Sequence, residues 1–286
     1  MNRWITGARP RTLPAAIVPV AVGAAAAVGE PTDVVWWRVA AALVVSLMLQ
    51  IGVNYANDYS DGVRGTDDVR VGPTRLVASG LASASSVKRA ALGSFGVAAV
   101  AGLAIALSTS LVLLIVGAAA IAAGWFYTGG PKPYGYLGLG EVFVFVFFGL
   151  VATAGTTYAA IESVTALSMV MGSAVGSLAC ALLVINNLRD IPTDREVGKK
   201  TLAVRLGDQR TRWFYTALIA LAFVLSAVAA IWRTPVLLGL VAIPLAIRPI
   251  RLVLGGATGG ALIPVLGETG KLQLAWGLLV TIGLAL

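Results

Sequence analysis

Residues 39–68 read VAAALVVSLMLQIGVNYANDYSDGVRGTDD. The first part suits lipid. The second carries two asparagines and then four aspartates between Asp58 and Asp68. A helix that crosses a bilayer needs about 20 mostly apolar residues, and 39–57 supplies them. Charge at membrane depth is costly and is kept for a purpose. This stretch therefore reads as a span that delivers acids to a membrane surface.

The rest of the chain agrees with that reading. Of 286 residues, 58% are hydrophobic and 12% charged, with a mean hydropathy of +0.88. A soluble domain carries roughly 25% charged residues. The expected fold is an all-α integral membrane protein, one intramembrane domain over residues 1–286. We count nine transmembrane helices, at roughly 12–29, 39–57, 90–108, 111–128, 138–160, 166–187, 213–231, 234–254 and 271–286. The first follows Arg3, Arg9 and Arg11 and could pass for a signal peptide. Pro10, Pro14 and Pro19 break the usual apolar region, and we read it as a retained span.

Nearly every base falls at the N-terminus or in a loop after an even-numbered span. Only Arg38 and Arg233, of 21 lysines and arginines, lie on the other side. Excess Lys and Arg mark cytoplasmic loops, so the N-terminus is expected in the cytoplasm, the C-terminus outside, and the host membrane is the cell membrane. Arg9 and Arg11 read as topology markers in this scheme. The pI near 10.0 then reflects topology, and no nucleic-acid partner is expected. The chain has no histidine, which excludes His-ligated metals and His general bases. Its one cysteine, Cys180, lies in an apolar run and reads as a small core residue.

Ten of the thirteen acids share the cytoplasmic face, the exceptions being Glu30, Asp33 and Glu162. Positive-inside sorting does not explain that. A second acidic stretch, INNLRDIPTDREVGKKTLAVRLG at 185–207, also ends an even-numbered span. Asn186, Asp190 and Asp194 stand four apart, which aligns them on one helix face, although Pro192 could break the helix between the acids. In the first motif, Asn54 and Asp58 stand four apart, as do Asn57 and Asp61, with Asp67 and Asp68 beyond. The two motifs look like an internal pseudo-repeat. Crowded carboxylates repel one another, and a hard divalent cation relieves the repulsion. Mg²⁺ binds through one or two carboxylates plus substrate phosphate, and nearby Arg and Lys hold phosphate oxygens. Acid and base together on one face read as a Mg²⁺–diphosphate site.

The pairing of NDYSDGVRGTDD with NNLRDIPTDREVGKKTLAVRLG resembles the UbiA-type intramembrane prenyltransferases, and most of all their 1,4-dihydroxy-2-naphthoate branch. ARPRTLP at 8–14, GPTRLVASG at 72–80 and YTGGPKPYGYLGLGE at 127–141 carry the same likeness. It runs through the first seven spans; the last two match only in being apolar. Much of the superfamily has N-x-x-x-D-x-x-x-D in the first motif. Here Asn57 and Asp61 fit, position 65 is Gly, and Asp67 takes the place of the missing acid.

The resemblance implies a nine-helix bundle with its two Asp-rich motifs on cytoplasmic loops. It implies Mg²⁺ as cofactor, with a polyprenyl diphosphate and 1,4-dihydroxy-2-naphthoate as substrates in membrane lipid. The implied reaction is electrophilic aromatic substitution with loss of the ring carboxylate as CO₂, giving demethylmenaquinone. Asp61, Asp190 and Asp194 would be catalytic. Asn57, Asp58, Asp61, Asp67, Asp190 and Asp194 would form the metal set. Substrate contacts would come from Asn54, Asn57, Arg75, Tyr127, Lys132, Asn186, Lys199 and Arg205. Lys199, Lys200 and Arg205 could clamp a lid or face lipid headgroups. Glu141 opens an apolar span, and its partner is not evident. A prenyltransferase for another acceptor, such as homogentisate or 4-hydroxybenzoate, remains an alternative, as does an organic-anion transporter.

Overall fold

The computed structural model describes residues 2–65 and 75–286. Within them every regular element is helical. We number the main helices α1 (Arg3–Ala8), α2 (Pro14–Ala27), α3 (Trp36–Arg64), α4 (Ala84–Ser108), α5 (Val112–Phe126), α6 (Gly140–Ile161), α7 (Ala166–Glu196), α8 (Asp208–Ala229), α9 (Thr234–Leu254) and α10 (Leu262–Ala285). Six of them, α3, α4 and α6 to α9, are long and apolar enough to cross a membrane. They coincide with six of the expected spans, and the protein is a multi-pass membrane protein.

The other three expected spans fall on helices of a different kind. The segment Arg3–Thr12 meets α2 at a bend of 51°. Arg9 makes that turn in the left-handed region (φ 52°), and Pro10 and Pro14 follow it. Helix α5 has 15 residues. Helix α10 has 24 residues, with Glu268, Lys271 and Gln273 in its first half.

Both motif helices are longer than their apolar stretches. Helix α3 continues through Asn57, Asp58 and Asp61 before Gly65, at φ 71°, closes it with its N–H on the Asp61 carbonyl. Helix α7 runs unbroken to Glu196 with Pro192 inside it. The acids Asp61, Asp190 and Asp194 therefore stand on helix ends, not on loops. The break at Pro192 does not occur.

Helix α7 is the bundle's axis, with 72% of its apolar window buried, and it packs against α6, α8 and α10. Lipid offers no hydrophobic drive for helices to associate, so close backbone approach has to supply the attraction. The crossing of α6 on α7 shows how. A methyl group at Gly149 would stand 2.6 Å from Gly176 Cα and 2.7 Å from the Gly172 carbonyl oxygen. Gly149 lies in a π-helical stretch, Phe145–Val151, that interrupts α6 at this contact.

The two arginines that break the charge pattern cap helix ends. Arg38 donates to the carbonyls of Ser108 at 2.6 Å and Ala159 at 3.5 Å, and to Glu162 at 2.8 Å. Arg233 donates to the carbonyls of Ala25, Val28 and Leu284. Carbonyls in a last helical turn have no partner within the helix and attract cations.

Gly149→Ala is expected to lower stability by about 1–3 kcal/mol, because the atoms it meets are backbone and cannot swing aside. Thermal unfolding in detergent or nanodiscs measures this; an unchanged midpoint would refute the backbone crossing.

Candidate functional site

The motif ends of α3 and α7 face each other across a cavity of about 230 Å³. Helix α3 contributes Asn54, Asn57 and Asp61, at steps of three and four residues. Helix α7 contributes a continuous stripe that includes Asn186, Asn187, Asp190, Thr193 and Asp194. Arg9 and Thr12 enter from the bend before α2, Tyr127 and Thr128 from the end of α5, and Arg75, Tyr136 and Lys199 from connecting segments.

Asp61 is the meeting point. It is 3% exposed. Tyr136 donates its hydroxyl to Asp61 Oδ1 at 2.5 Å; Lys199 Nζ lies 3.7 Å from the same oxygen, and Arg75 Nη2 lies 3.6 Å from Oδ2. Lys199 also sits over the Tyr136 ring at 4.6 Å. The segment that bears Tyr136 is anchored by Tyr134, which donates to the Ala123 carbonyl at 2.8 Å and stacks on Phe143. Burial pushes the Tyr134 phenol above its ordinary pKa, so it stays a donor. On the other wall, Arg189 grips Asp190 with two parallel hydrogen bonds of 2.6 and 2.8 Å. Deeper in the cavity, Asn57 accepts from Thr128 at 2.8 Å, and Asn54 donates to Ala8 O and Thr12 Oγ1, both at 2.9 Å.

Nine expected site residues line this cavity: Asn54, Asn57, Asp61, Arg75, Tyr127, Asn186, Asp190, Asp194 and Lys199. Three do not. Asp58, 0% exposed, faces away and accepts from the backbone N–H groups of Leu76 (2.8 Å) and Val77 (3.0 Å). Its turn of the helix points at the returning chain, which it tethers. Lys132 is exposed at a loop tip. Arg205 is exposed and donates to the Lys200 carbonyl at 3.1 Å. Asp67 and Asp68 lie outside the described residues.

Sequence reasoning missed several lining residues. Arg9 reads as a topology marker, yet it lines the cavity, where the bend before α2 places it. Asn187 stands three and seven residues before Asp190 and Asp194, so helical spacing alone could have found it. Tyr136 had no signal beyond its place in the 127–141 stretch.

The cavity wall carries three acids, Asp61, Asp190 and Asp194, against Arg9, Arg75 and Lys199. Among the described residues, no three His, Cys, Asp or Glu side chains group as a ready-made cage for an ion. Mg²⁺ does not need one. It takes one or two carboxylates, keeps water, and completes its shell with phosphate oxygens. One carboxylate on the α3 wall and two on the α7 wall, with amide groups and three cations nearby, fit a metal that arrives with a diphosphate.

The UbiA prenyltransferase family model matches residues 16–257. The chain belongs to the UbiA prenyltransferase family. It is therefore a prenyltransferase, and the match extends through α9, beyond the seven spans where the motifs lie. The chain is 53% identical over 283 residues to the 1,4-dihydroxy-2-naphthoate octaprenyltransferase of Mycobacterium tuberculosis, covering 99% of this chain and 97% of that protein. It is 36% identical over 300 residues to the Escherichia coli protein of the same name, covering 99% and 95%. Among solved structures, a UbiA homolog from Archaeoglobus fulgidus bound to GPP and Mg²⁺ superposes with a TM-score of 0.63 at 17% identity, covering 98% of this chain and 100% of that one. The apo homolog from Aeropyrum pernix K1 gives 0.69 at 17% identity, covering 94% and 96%. The likeness to these two structures is one of fold.

Asp58→Ala is expected to release the chain at Leu76 and Val77. Amide hydrogen exchange at those two residues should rise by about tenfold or more. Unchanged protection there would mean that Asp58 is not the tether.

Proposed function

We propose that this prenyltransferase moves a polyprenyl group from a polyprenyl diphosphate to 1,4-dihydroxy-2-naphthoate, with loss of the carboxylate as CO₂, yielding demethylmenaquinol, the reduced form of demethylmenaquinone. The observation that carries the reading is the cavity in which Asp61 on α3 faces Asp190 and Asp194 on α7, with Arg75 and Lys199 at its edge. The acceptor is taken from the naming of the full-length relatives at 53% and 36% identity.

In this reading Asn57, Asp61, Asp190 and Asp194 hold Mg²⁺, joined on sequence spacing by Asp67. The metal, when bound, neutralises the leaving diphosphate. Arg75 and Lys199, which lie 3.6 and 3.7 Å from Asp61 oxygens, would turn to the diphosphate oxygens. That exchange costs little, because each cation trades one anion for another in the same place. Asn54, Tyr127 and Asn186 line the region where the allylic carbon meets the aromatic ring. No side-chain nucleophile is needed: the electron-rich ring attacks the allylic carbon, the C–O bond to diphosphate breaks, and the ring carboxylate leaves as CO₂.

We further propose nine spans in the cell membrane, with the N-terminus and the cavity facing the cytoplasm and the C-terminus outside. The support is the placement of all lysines and arginines but two, together with α2, α5 and α10 as the three shorter or more polar spans.

The test is a product assay on protein in lipid, with labelled polyprenyl diphosphate, Mg²⁺ or EDTA, and either 1,4-dihydroxy-2-naphthoate or 4-hydroxybenzoate. Mg²⁺-dependent prenylation of the naphthoate is expected. Product from 4-hydroxybenzoate alone would overturn the acceptor. Asp61→Asn and Asp190→Asn should each lower turnover by about 100-fold or more with the fold intact; normal turnover in either would remove that residue from the metal site. Arg75→Gln and Lys199→Gln should raise KM for the diphosphate substrate about tenfold while leaving acceptor KM unchanged.

A further inference from the structure

Helix α6 begins with an acid that the metal–diphosphate chemistry does not use. Glu141 is 4% exposed at the start of an apolar span. Its Oε1 accepts from Asn187 Nδ2 at 2.9 Å, while its Oε2 has no hydrogen-bond partner among the described residues. A buried carboxyl kept for stability alone would have both oxygens satisfied, because an unmade hydrogen bond in such a place is costly. The side chain that Glu141 does engage, Asn187, belongs to the cavity wall.

The placement is tight. A methyl group at Gly140 would stand 3.2 Å from Tyr127 Cε2 and 3.3 Å from Leu183 Cδ2, and both of those side chains line the cavity. Glycine there lets the start of α6 press against the wall and bring Glu141 to Asn187. The neighbouring Asn186 is held differently, with its Nδ2 donating to the Leu182 carbonyl of its own helix at 3.2 Å.

The two ends of an asparagine amide have the same shape and opposite chemistry. With Nδ2 bound to Glu141, Oδ1 is the end of the Asn187 amide left for the cavity that this residue lines. Along α7, Asn187 lies about 4.5 Å before Asp190 and about 10 Å before Asp194, and on α3 Asn54 lies about 10 Å before Asp61. The cavity thus has an acid tier at its mouth and a tier of uncharged amides beneath. A carbonyl oxygen in that lower tier rejects carboxylate and diphosphate and accepts from a hydroxyl.

We propose that Asn187 Oδ1 accepts a hydrogen bond from a ring hydroxyl of the aromatic acceptor, and that Glu141 is the positioning residue that holds Asn187 in that orientation. The inference rests on the acceptor reading above. The contact fixes the ring's rotation and draws the O–H bond toward the phenolate side, which raises electron density on the ring that the allylic carbon meets.

The test uses full-length protein in nanodiscs, with binding of 1,4-dihydroxy-2-naphthoate and of its 1,4-dimethyl ether measured by calorimetry. The ether keeps the carboxylate and the ring and cannot donate. Wild-type protein should prefer the dihydroxy compound by about tenfold. Asn187→Leu and Glu141→Met should each bring that ratio close to one, and the double variant should fall no further. Glu141→Gln, whose amide oxygen can still accept, should keep it. KM for polyprenyl diphosphate should stay unchanged throughout. A ratio that persists in Asn187→Leu, or a diphosphate KM that moves as much as the acceptor's, would overturn the contact. If Glu141→Met does not fold, Asn187→Leu and Glu141→Gln carry the comparison. Wild-type protein that makes no product from the naphthoate overturns the acceptor reading and this contact with it. Naphthoate turnover with a ratio indifferent to the variants overturns the contact alone.

Discussion

A carboxylate buried at the end of a membrane helix must be matched by charge, and at Asp61 the matching draws three separate stretches of chain together. Arg75 arrives from the segment after the first motif, Tyr136 from the connection between α5 and α6, and Lys199 from the turn after α7. Removing Arg75 or Lys199 would weaken the compensation of a carboxylate that is 3% exposed. The site is therefore also a piece of architecture. Through these contacts Asp61 links the end of α3 to the α5–α6 connection and to the turn after α7.

The same balance explains how the cavity can be both acidic and receptive to an anion. Its wall holds Asp61, Asp190 and Asp194 against Arg9, Arg75 and Lys199. A divalent cation alone would face the lysine and arginines, and a diphosphate alone would face the aspartates. The two together bring nearly cancelling charge. Arg189 behind Asp190 works in the same sense, holding that carboxylate in place through two hydrogen bonds.

The sequence made the architecture legible where one physical rule acted alone. Apolar length marked the long helices, and loop arginines marked one face. Helical spacing grouped Asn57 with Asp61 and Asp190 with Asp194. It failed where two rules competed. Asp58 shares its motif with Asp61, but the one-residue turn of helix beyond Asn57 sends it to the backbone of Leu76 and Val77. Pro192 reads as a breaker, yet the packing around α7 carries the helix past it. Lys132 and Arg205 have the right chemistry in the right stretches and reach solvent instead. Arg9 needed the bend before α2 to become visible. Such failures share a cause: facing direction at a helix end or turn depends on three-dimensional neighbours, which spacing along the chain does not record.

Arg233 ties the carbonyls of Ala25 and Val28 to that of Leu284 on the face opposite the cavity. Helices α2 and α10 are thus joined through one side chain in the α8–α9 connection. During synthesis, neither Arg233 nor Leu284 exists when Ala25 leaves the ribosome. The carbonyls at the end of α2 must stay hydrated, or find a temporary donor, through most of translation. Ring closure of the bundle is in this sense a terminal event, timed by the arrival of α10 and not by the formation of the helices that carry the acids.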